Sequence, residues 1–303
     1  MTASVMTRAN VRPELMRPRY VGGDVHGPIG VAGLPDGGES EQLMPTALIT
    51  GPTSGIGRGF AEEFARKGFN LVLVARDEVR LNALAAEFES TYGVACEVLP
   101  ADLTIRADVD RVAERLADTG SPVGALVNNA GFGLNRSFLT ASVDDEQRMI
   151  DVLVTAVMRL TRAAVPGMVD RRTGMVINVS SVASWITGGT YSAAKAWVTV
   201  FSESLAQELD GTGVRVTAVC PGFVHTEFHE RAGIDMSSMP EWMWLDVPAV
   251  VNQAMRDVAR SRPVSVAGSQ YKVFSAFLRH GPRSLGRLAT ASRQRNPRFG
   301  ARD

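Results

Sequence analysis

Cysteine is almost missing from this chain: Cys96 and Cys220 are the only two in 303 residues. Both sit in apolar, strand-like runs without metal-ligand spacing, which excludes a disulfide framework and a thiolate-bound metal. They read as buried thiols in a reducing cytoplasm. Net charge is missing too, because 32 basic side chains balance 32 acidic ones. Nothing global therefore draws the chain to nucleic acid. No uninterrupted apolar stretch is long enough to span a bilayer, and no internal repeat is visible. An apolar fraction of 45% describes a globular chain with enough length to bury a core.

The ends differ from the middle. Residues 1–43 carry Gly22, Gly23, Gly27, Gly30, Gly33, Gly37 and Gly38 with four prolines, and show neither a helical nor a strand period. They have no apolar run of the secretory kind and are expected to be a disordered extension. Met44 stands immediately before the first strand, so a start there is an alternative that the N-terminal mass of the native protein decides. Residues 279–303 hold seven arginines against one acid, with Phe274, Phe277, Leu278, Leu285 and Leu288 just before or among them. Two readings stand: a solvated helix with a frayed tail, or an amphipathic contact with anionic lipid or an acidic partner. The first is preferred, because the segment is short of apolar bulk.

Between the ends, strand-like and helix-like segments alternate. Strands are expected at Ala47–Thr50, Asn70–Ala75, Val94–Leu99, Gly124–Asn128, Met175–Ser180, Val214–Val219 and Val264–Val266. Several are continuously apolar, as strands buried on both faces are. Helices are expected at Gly55–Lys67, Val79–Tyr92, Ala107–Asp118, Val143–Arg171 with a break near Pro166, Tyr191–Leu209 and Val247–Ala259. Such alternation predicts right-handed crossovers and one doubly wound parallel α/β domain over about residues 44–278.

Two motifs carry the chemistry. Thr50-Gly51-Pro52-Thr53-Ser54-Gly55-Ile56-Gly57 is a glycine-rich turn between a strand and a helix. There, one glycine makes the turn, one admits phosphate to the backbone, and one lets helix pack on strand. The helix N-terminus adds its unpaired N–H groups. Tyr191-Ser192-Ala193-Ala194-Lys195 puts a phenol and an ammonium on one helix face. An ammonium favours the phenolate, which predicts proton exchange by Tyr191 near neutral pH. Together they point to hydride transfer at a carbonyl or alcohol carbon.

The Gly-x3-Gly-x-Gly spacing resembles that of the classical short-chain dehydrogenases/reductases, and further signatures follow in order. Asn128-Asn129-Ala130-Gly131 closes the fourth strand, Asn178-Val179-Ser180-Ser181 the fifth, and Pro221-Gly222 follows the sixth. The resemblance covers roughly residues 45–270 and looks nearest to bacterial ketoacyl-reductase-like members, through Leu73-Val74-Ala75-Arg76 and Tyr191-Ser192-Ala193-Ala194-Lys195-Ala196-Trp197. It implies a Rossmann-like fold and a catalytic set of Ser181, Tyr191 and Lys195. Tyr191 exchanges the proton, Lys195 binds ribose and lowers the tyrosine's pKa, and Ser181 hydrogen-bonds the substrate oxygen. It also implies cofactor contacts from Gly51, Thr53, Ser54, Gly55, Ile56, Gly57, Asp102, Leu103, Asn129, Ala130, Gly131, Pro221, Gly222, Val224 and Thr226. A homodimer or homotetramer built on the two long helices is implied as well.

Cofactor choice rests on the end of the second strand. An acid there would repel a 2′-phosphate, whereas this chain has Ala75 and then Arg76. A guanidinium suits that phosphate, so NADP(H) is preferred and NAD(H) comes second. Asp77 is read as a helix cap. Asp102 is either an adenine contact or an acid that starts a loop.

Two departures from the family pattern stand out. Asp151-Val152-Leu153-Val154-Thr155 puts leucine where the family carries an asparagine that helps hold a water behind the lysine. A backbone carbonyl is the alternative holder of that water. The serine lies ten residues before the tyrosine instead of the family's usual thirteen; Ser180 and Ser184 are the alternatives to Ser181. Beyond Pro221-Gly222 the family carries a lid, here Phe223–Asp246 with Phe228, Met236, Met239, Trp242, Met243 and Trp244. Its bulk suits an apolar ketone such as an acyl chain or sterol, or else packs on the protein itself. His225 and His229 read as lid polar groups. Against the leading reading, a carbonyl reductase or alcohol dehydrogenase, stands a cofactor-binding sensor or scaffold without catalysis, motivated by Leu153.

Overall fold

The computed structural model describes residues 45–134, 136–228 and 239–280. The glycine-rich extension, residues 281–303, His229 and Met236 lie outside them. Among the described residues the core element is a seven-stranded sheet. In chain order its strands are β1 (Thr46–Thr50), β2 (Asn70–Ala75), β3 (Cys96–Pro100), β4 (Val123–Asn128), β5 (Gly174–Val179), β6 (Val214–Val219) and the short β9 (Val264–Ser265). Their spatial order is β3-β2-β1-β4-β5-β6-β9, all parallel. Leu48, at the centre, pairs with Val72 on one side and Leu126 on the other. This is the Rossmann-like doubly wound sheet that the alternation predicts.

Helices cover both faces. On one side lie α1 (Gly55–Arg66), α2 (Glu78–Tyr92) and α7 (Val247–Ala259), whose Phe60, Phe64, Leu81, Phe88 and Val250 pack on β1 and β2. On the other lie α3 (Arg106–Ala117), the α4–α5 helix (α4 Val143–Ile150, α5 Val157–Asp170) and α6 (Gly189–Glu208). Continuous apolar strands follow from this burial on both faces. Asp77 caps α2 by accepting from Arg80 N at 3.0 Å. Cys220 is buried, while Cys96 keeps partial exposure.

The long helix departs from expectation. It runs unbroken through Pro166, which lies on the exposed side of α5 together with Arg162. Water can serve the Arg162 carbonyl that proline's missing N–H leaves unpaired. The irregularity falls earlier, at a π-helical segment, Asp151–Ala156, that joins α4 to α5. Val143–Asp170 is long and apolar enough, by length and composition, to cross a membrane. Met149, Leu153, Leu160 and Met168 of this helix are buried in the domain core, whereas Val143 and Met158 are exposed. Two features carry no clear period in the sequence: a two-stranded parallel sheet of β7 (Phe223–Val224) and β8 (Trp244–Leu245), and helix α8 (Ser269–His280).

Candidate functional site

Strand order reverses between β1 and β4, and the crevice beyond their carboxyl ends is where such sheets take ligands. Its two walls are stitched together. Thr50 Oγ1 accepts from the backbone N–H groups of Asn129 and Ala130, each at 3.0 Å. Asn129 Nδ2 donates to the carbonyls of Thr50 and Gly51, again at 3.0 Å.

The glycine turn is shaped as a cradle. Gly51 and Gly55 have φ of +67° and +55°, a region that favours glycine. A Cβ on Gly57 would stand 2.1 Å from the Gly51 carbonyl oxygen, so this face admits only bare backbone. Ser54 precedes α1 in extended conformation and makes no side-chain cap bond, which leaves the first-turn amides to serve a phosphate. Thr53 and Ile56 flank the turn, half-buried. Thr226 lies against Gly55, its Cγ2 2.9 Å from where a Cβ would be. Arg76 and Asp102 line a cavity of about 210 Å³ with Pro100, Ala101 and Asp108. Asp102 also accepts from Thr104 N and Oγ1 at 2.9 and 2.8 Å, so it both starts a loop and faces the cavity. Leu103 is buried beside it. The residues present therefore fit a dinucleotide: a glycine-only face, an uncapped helix end, and a guanidinium in a cavity at the second strand.

On the other side of the switch point, a buried amide chain ties the strand ends to the helices. Asn128 Nδ2 donates to Asn178 Oδ1 at 2.9 Å and to Thr161 Oγ1 at 3.1 Å. Asn178 Nδ2 donates to Ser202 Oγ at 2.9 Å. Ser180 Oγ donates to the Lys195 carbonyl at 2.8 Å and shares a hydrogen with Thr199 Oγ1 at 2.7 Å. Ser180 thus braces α6 from inside. Thr161, Thr199 and Ser202 escape a motif reading; their only signal is small polar residues on otherwise apolar helix faces.

Ser181 opens a 3₁₀ turn, Val182–Trp185, and its Oγ accepts from Ala183 N at 3.1 Å. The turn carries the chain to α6, and the hydroxyls of Ser181 and Tyr191 are hydrogen-bonded. Ser184 instead buries its hydroxyl, with no partner among the described residues. Lys195 is buried; its Nζ donates to the Val179 carbonyl at 2.7 Å and lies 5.7 Å from the centre of the Tyr191 ring.

Electrostatically the pair differs from the sequence expectation. Tyr191 is half-buried, and burial pushes its pKa up to about 12, with the Ser181 hydrogen bond opposing. Burial brings the Lys195 ammonium down to about 8, with Cys220 opposing. Desolvation is the largest cause of both shifts, and the Lys195 ammonium gives a hydrogen bond to the Val179 carbonyl. Tyr191 is therefore a phenol at neutral pH.

Leu153, in the π-helical segment, is 1% exposed and packs with Met149 and Ala194 against Phe132, Leu134 and Tyr191. Its Cδ2 is 2.7 Å from where a Gly131 Cβ would stand. The place behind the lysine is thus lined by hydrocarbon.

Pro221 O accepts from Val182 N at 3.0 Å, and the Tyr271 ring of α8 covers Gly222. The Tyr271 hydroxyl accepts from Phe223 N at 3.0 Å and donates to the Met243 carbonyl at 2.6 Å. From there Val224 is buried, and Phe228 brings its ring 6.0 Å from that of Tyr191. His225 stacks on Trp244 at 4.6 Å and lies 3.1 Å from Glu241; the structure turns it to the surface.

The short chain dehydrogenase family profile matches residues 45–236. A very-long-chain 3-oxoacyl-CoA reductase of Mycosarcoma maydis is 38% identical over 186 residues, 59% of this chain and 53% of that protein. The chain thus spans about half the length of that relative. A short-chain dehydrogenase from Sphingobium yanoikuyae, solved in complex with NADPH, superposes with a TM-score of 0.71 at 35% identity, covering 86% of this chain and 99% of that one. An alcohol dehydrogenase from Comamonas testosteroni, described as bulky-bulky ketone specific, gives 0.67 at 30% identity over 86% and 98%.

Proposed function

The chain belongs to the short-chain dehydrogenase family, whose members are nicotinamide-dependent oxidoreductases, and on that premise we propose that it reduces an apolar ketone to an alcohol with NADP(H). One observation carries the reading: the hydrogen-bonded pair Ser181 and Tyr191 stands beside a glycine cradle, with Lys195 under the same ring. When bound, the dinucleotide supplies the hydride. Ser181 orients the carbonyl oxygen, and Tyr191, protonated at neutral pH, gives that oxygen its proton. Lys195, brought down to about 8, is the adjacent group able to hold or release a proton near neutrality.

Arg76 beside the second strand supports NADP(H) over NAD(H), as does the NADPH carried by the Sphingobium relative. Phe132, Leu134 and Leu153 near Tyr191, with Phe228 across its ring, support an apolar substrate. The two thiols suit a cytoplasmic enzyme, and the exposed Met158 and Val200, on the long helices, suit a homodimer or homotetramer.

The test is oxidation of NADPH by purified protein across medium-chain and lipid-like ketones. Tyr191→Phe should lower turnover by roughly 10²–10⁴-fold while NADPH binding stays near normal. Equal turnover in the variant removes Tyr191 from the acid role. Leu153 favours a second reading, a cofactor-binding protein without turnover, because a buried leucine side chain has no atom that hydrogen-bonds a water. Tight NADPH binding with no turnover on any ketone, and none gained in Leu153→Asn, would establish that reading.

A further inference from the structure

Gly51, Gly55, Gly57 and Gly131 are held to glycine by the fold. The first two have positive φ, and Cβ atoms on the other two would stand 2.1 Å from the Gly51 carbonyl oxygen and 2.7 Å from Leu153 Cδ2. Gly133 is under neither demand. Its φ lies outside the left-handed region. Among the described residues, a Cβ there would meet nothing nearer than Phe228 Cζ at 3.5 Å and Tyr191 Cδ2 at 3.9 Å, both ordinary van der Waals contacts. Backbone and packing would thus accept alanine. What the missing side chain keeps open is the space alongside two rings whose centroids lie 6.0 Å apart. Its neighbours in the chain, Phe132 and Leu134, pack with Tyr191 against Met149, Leu153 and Ala194, so the surroundings are apolar.

We propose that Gly133 sets the size of the group bonded to the reacting carbonyl, and that the substrate is an internal ketone, with a chain or ring on both sides, rather than a methyl ketone. This rests on the reading of Tyr191 as the proton donor to a ketone and deepens it. A phenol that protonates a carbonyl oxygen stands within hydrogen-bond reach of it. The carbonyl carbon is one bond further on, so a group attached to it lies along the Tyr191 ring and reaches the space at Gly133. Water is a poor occupant, because two aromatic ring faces offer none of the polar partners that a buried water needs. A methyl group would leave part of the space empty and forfeit contacts with Phe228. A longer group fills it and packs on that ring. Any side chain larger than a methyl at position 133 would take this room from the substrate.

The probes are methyl hexyl ketone and propyl butyl ketone, isomers of equal apolar size that differ in the smaller group on the carbonyl. Binding of each to the full chain saturated with NADP+ is measured by calorimetry, and turnover by oxidation of NADPH. The wild type should favour propyl butyl ketone in both measurements. Gly133→Val should lower the ratio of propyl butyl to methyl hexyl ketone by about tenfold, in affinity and in kcat/KM, the worth of a methylene in an apolar pocket. Gly133→Ala should lie between valine and wild type. The thermal midpoint and the NADPH dissociation constant of the alanine variant should match those of the wild type. An unchanged ratio in both variants, or a wild type that favours methyl hexyl ketone, overturns the proposal while leaving the reductase reading intact. Loss of stability or of NADPH binding in Gly133→Ala also overturns it, since the fold itself would then demand glycine. The expected selectivity in binding without any turnover supports the proposal and removes Tyr191 from the acid role. Absence of binding and turnover with both ketones overturns the proposal and the apolar-ketone reading together.

Discussion

Replacing Lys195 by methionine removes a charge from a place where water cannot reach it. A fall in pKa from 10.5 to about 8 means that folding works against the ammonium by about 3 kcal/mol at neutral pH. Methionine fills a similar volume without charge. It forfeits the Nζ–Val179 carbonyl bond, which costs about 1 kcal/mol. The ligand-free variant should therefore be more stable by about 2 kcal/mol at pH 7, or roughly 5 °C in thermal midpoint. The unfolded lysine keeps its proton up to its ordinary pKa of 10.5, whereas the folded one releases it near 8. Between those values the unfolded state binds more protons, so wild-type stability rises with pH and the variant's lead shrinks. Near pH 9.5 the charge penalty is only about 1 kcal/mol, and the two proteins should unfold together. Tyr191 titrates in both and cancels. Urea unfolding of both proteins at the two pH values measures the difference, and turnover should be lost in the variant. A variant less stable than wild type by the same amount at both pH values would show that the ammonium is well satisfied, refuting the desolvation argument.

Three further outcomes follow from the geometry. Arg76→Asp should weaken NADPH binding by roughly 10–100-fold, the loss of one charge-assisted contact, while NADH tightens; an unchanged ratio of the two dissociation constants would take the guanidinium out of cofactor selection. Gly57→Ala pushes a methyl against the Gly51 carbonyl and Asn129 Nδ2, at 2.1 and 2.3 Å, and should destroy cofactor binding or cost more than about 2 kcal/mol of stability. Normal cofactor titration with a normal thermal midpoint would contradict that crowding. Tyr271→Phe strips a hydroxyl from two backbone partners, so stability should fall by about 1–3 kcal/mol and KM for ketone should rise more than the cofactor's dissociation constant. Parallel changes in both constants would leave Tyr271 a purely structural group.

The sheet was legible because strands buried on both faces are written as unbroken apolar runs such as Leu71–Val74, and because each crossover helix has its own period. The glycine cradle and the Tyr191–Lys195 spacing are local, so they too are readable. The charge states of that pair were not, since desolvation depends on what Val179, Ser181 and Cys220 place around them, and those come from other elements. The π-helical segment has no composition of its own, and Pro166 drew attention to the wrong turn. Among three candidate serines, spacing left the choice open; the fold turns Ser180 inward to the Lys195 carbonyl and Ser181 toward Tyr191. Helix α8 was not singled out because its large apolar residues Val273 and Phe277 lie on the exposed side, while its buried side carries the polar Ser275 with Tyr271.

The π-helical stretch Asp151–Ala156 also acts as a spacer. Each of its turns holds about one residue more than an α-turn, so it takes up the arc of one extra residue. Met149 lies before this stretch, Leu153 within it, and Leu160, Ala164 and Met168 after it, all buried. Deleting a single residue inside it would restore ordinary winding and leave the two halves facing as before. The same deletion in α4 or α5 would turn one half by about 100° relative to the other, and unseat either the wall beside Tyr191 or the packing on β4 and β5. The stretch is therefore a place where this helix can change length without losing its seat in the fold.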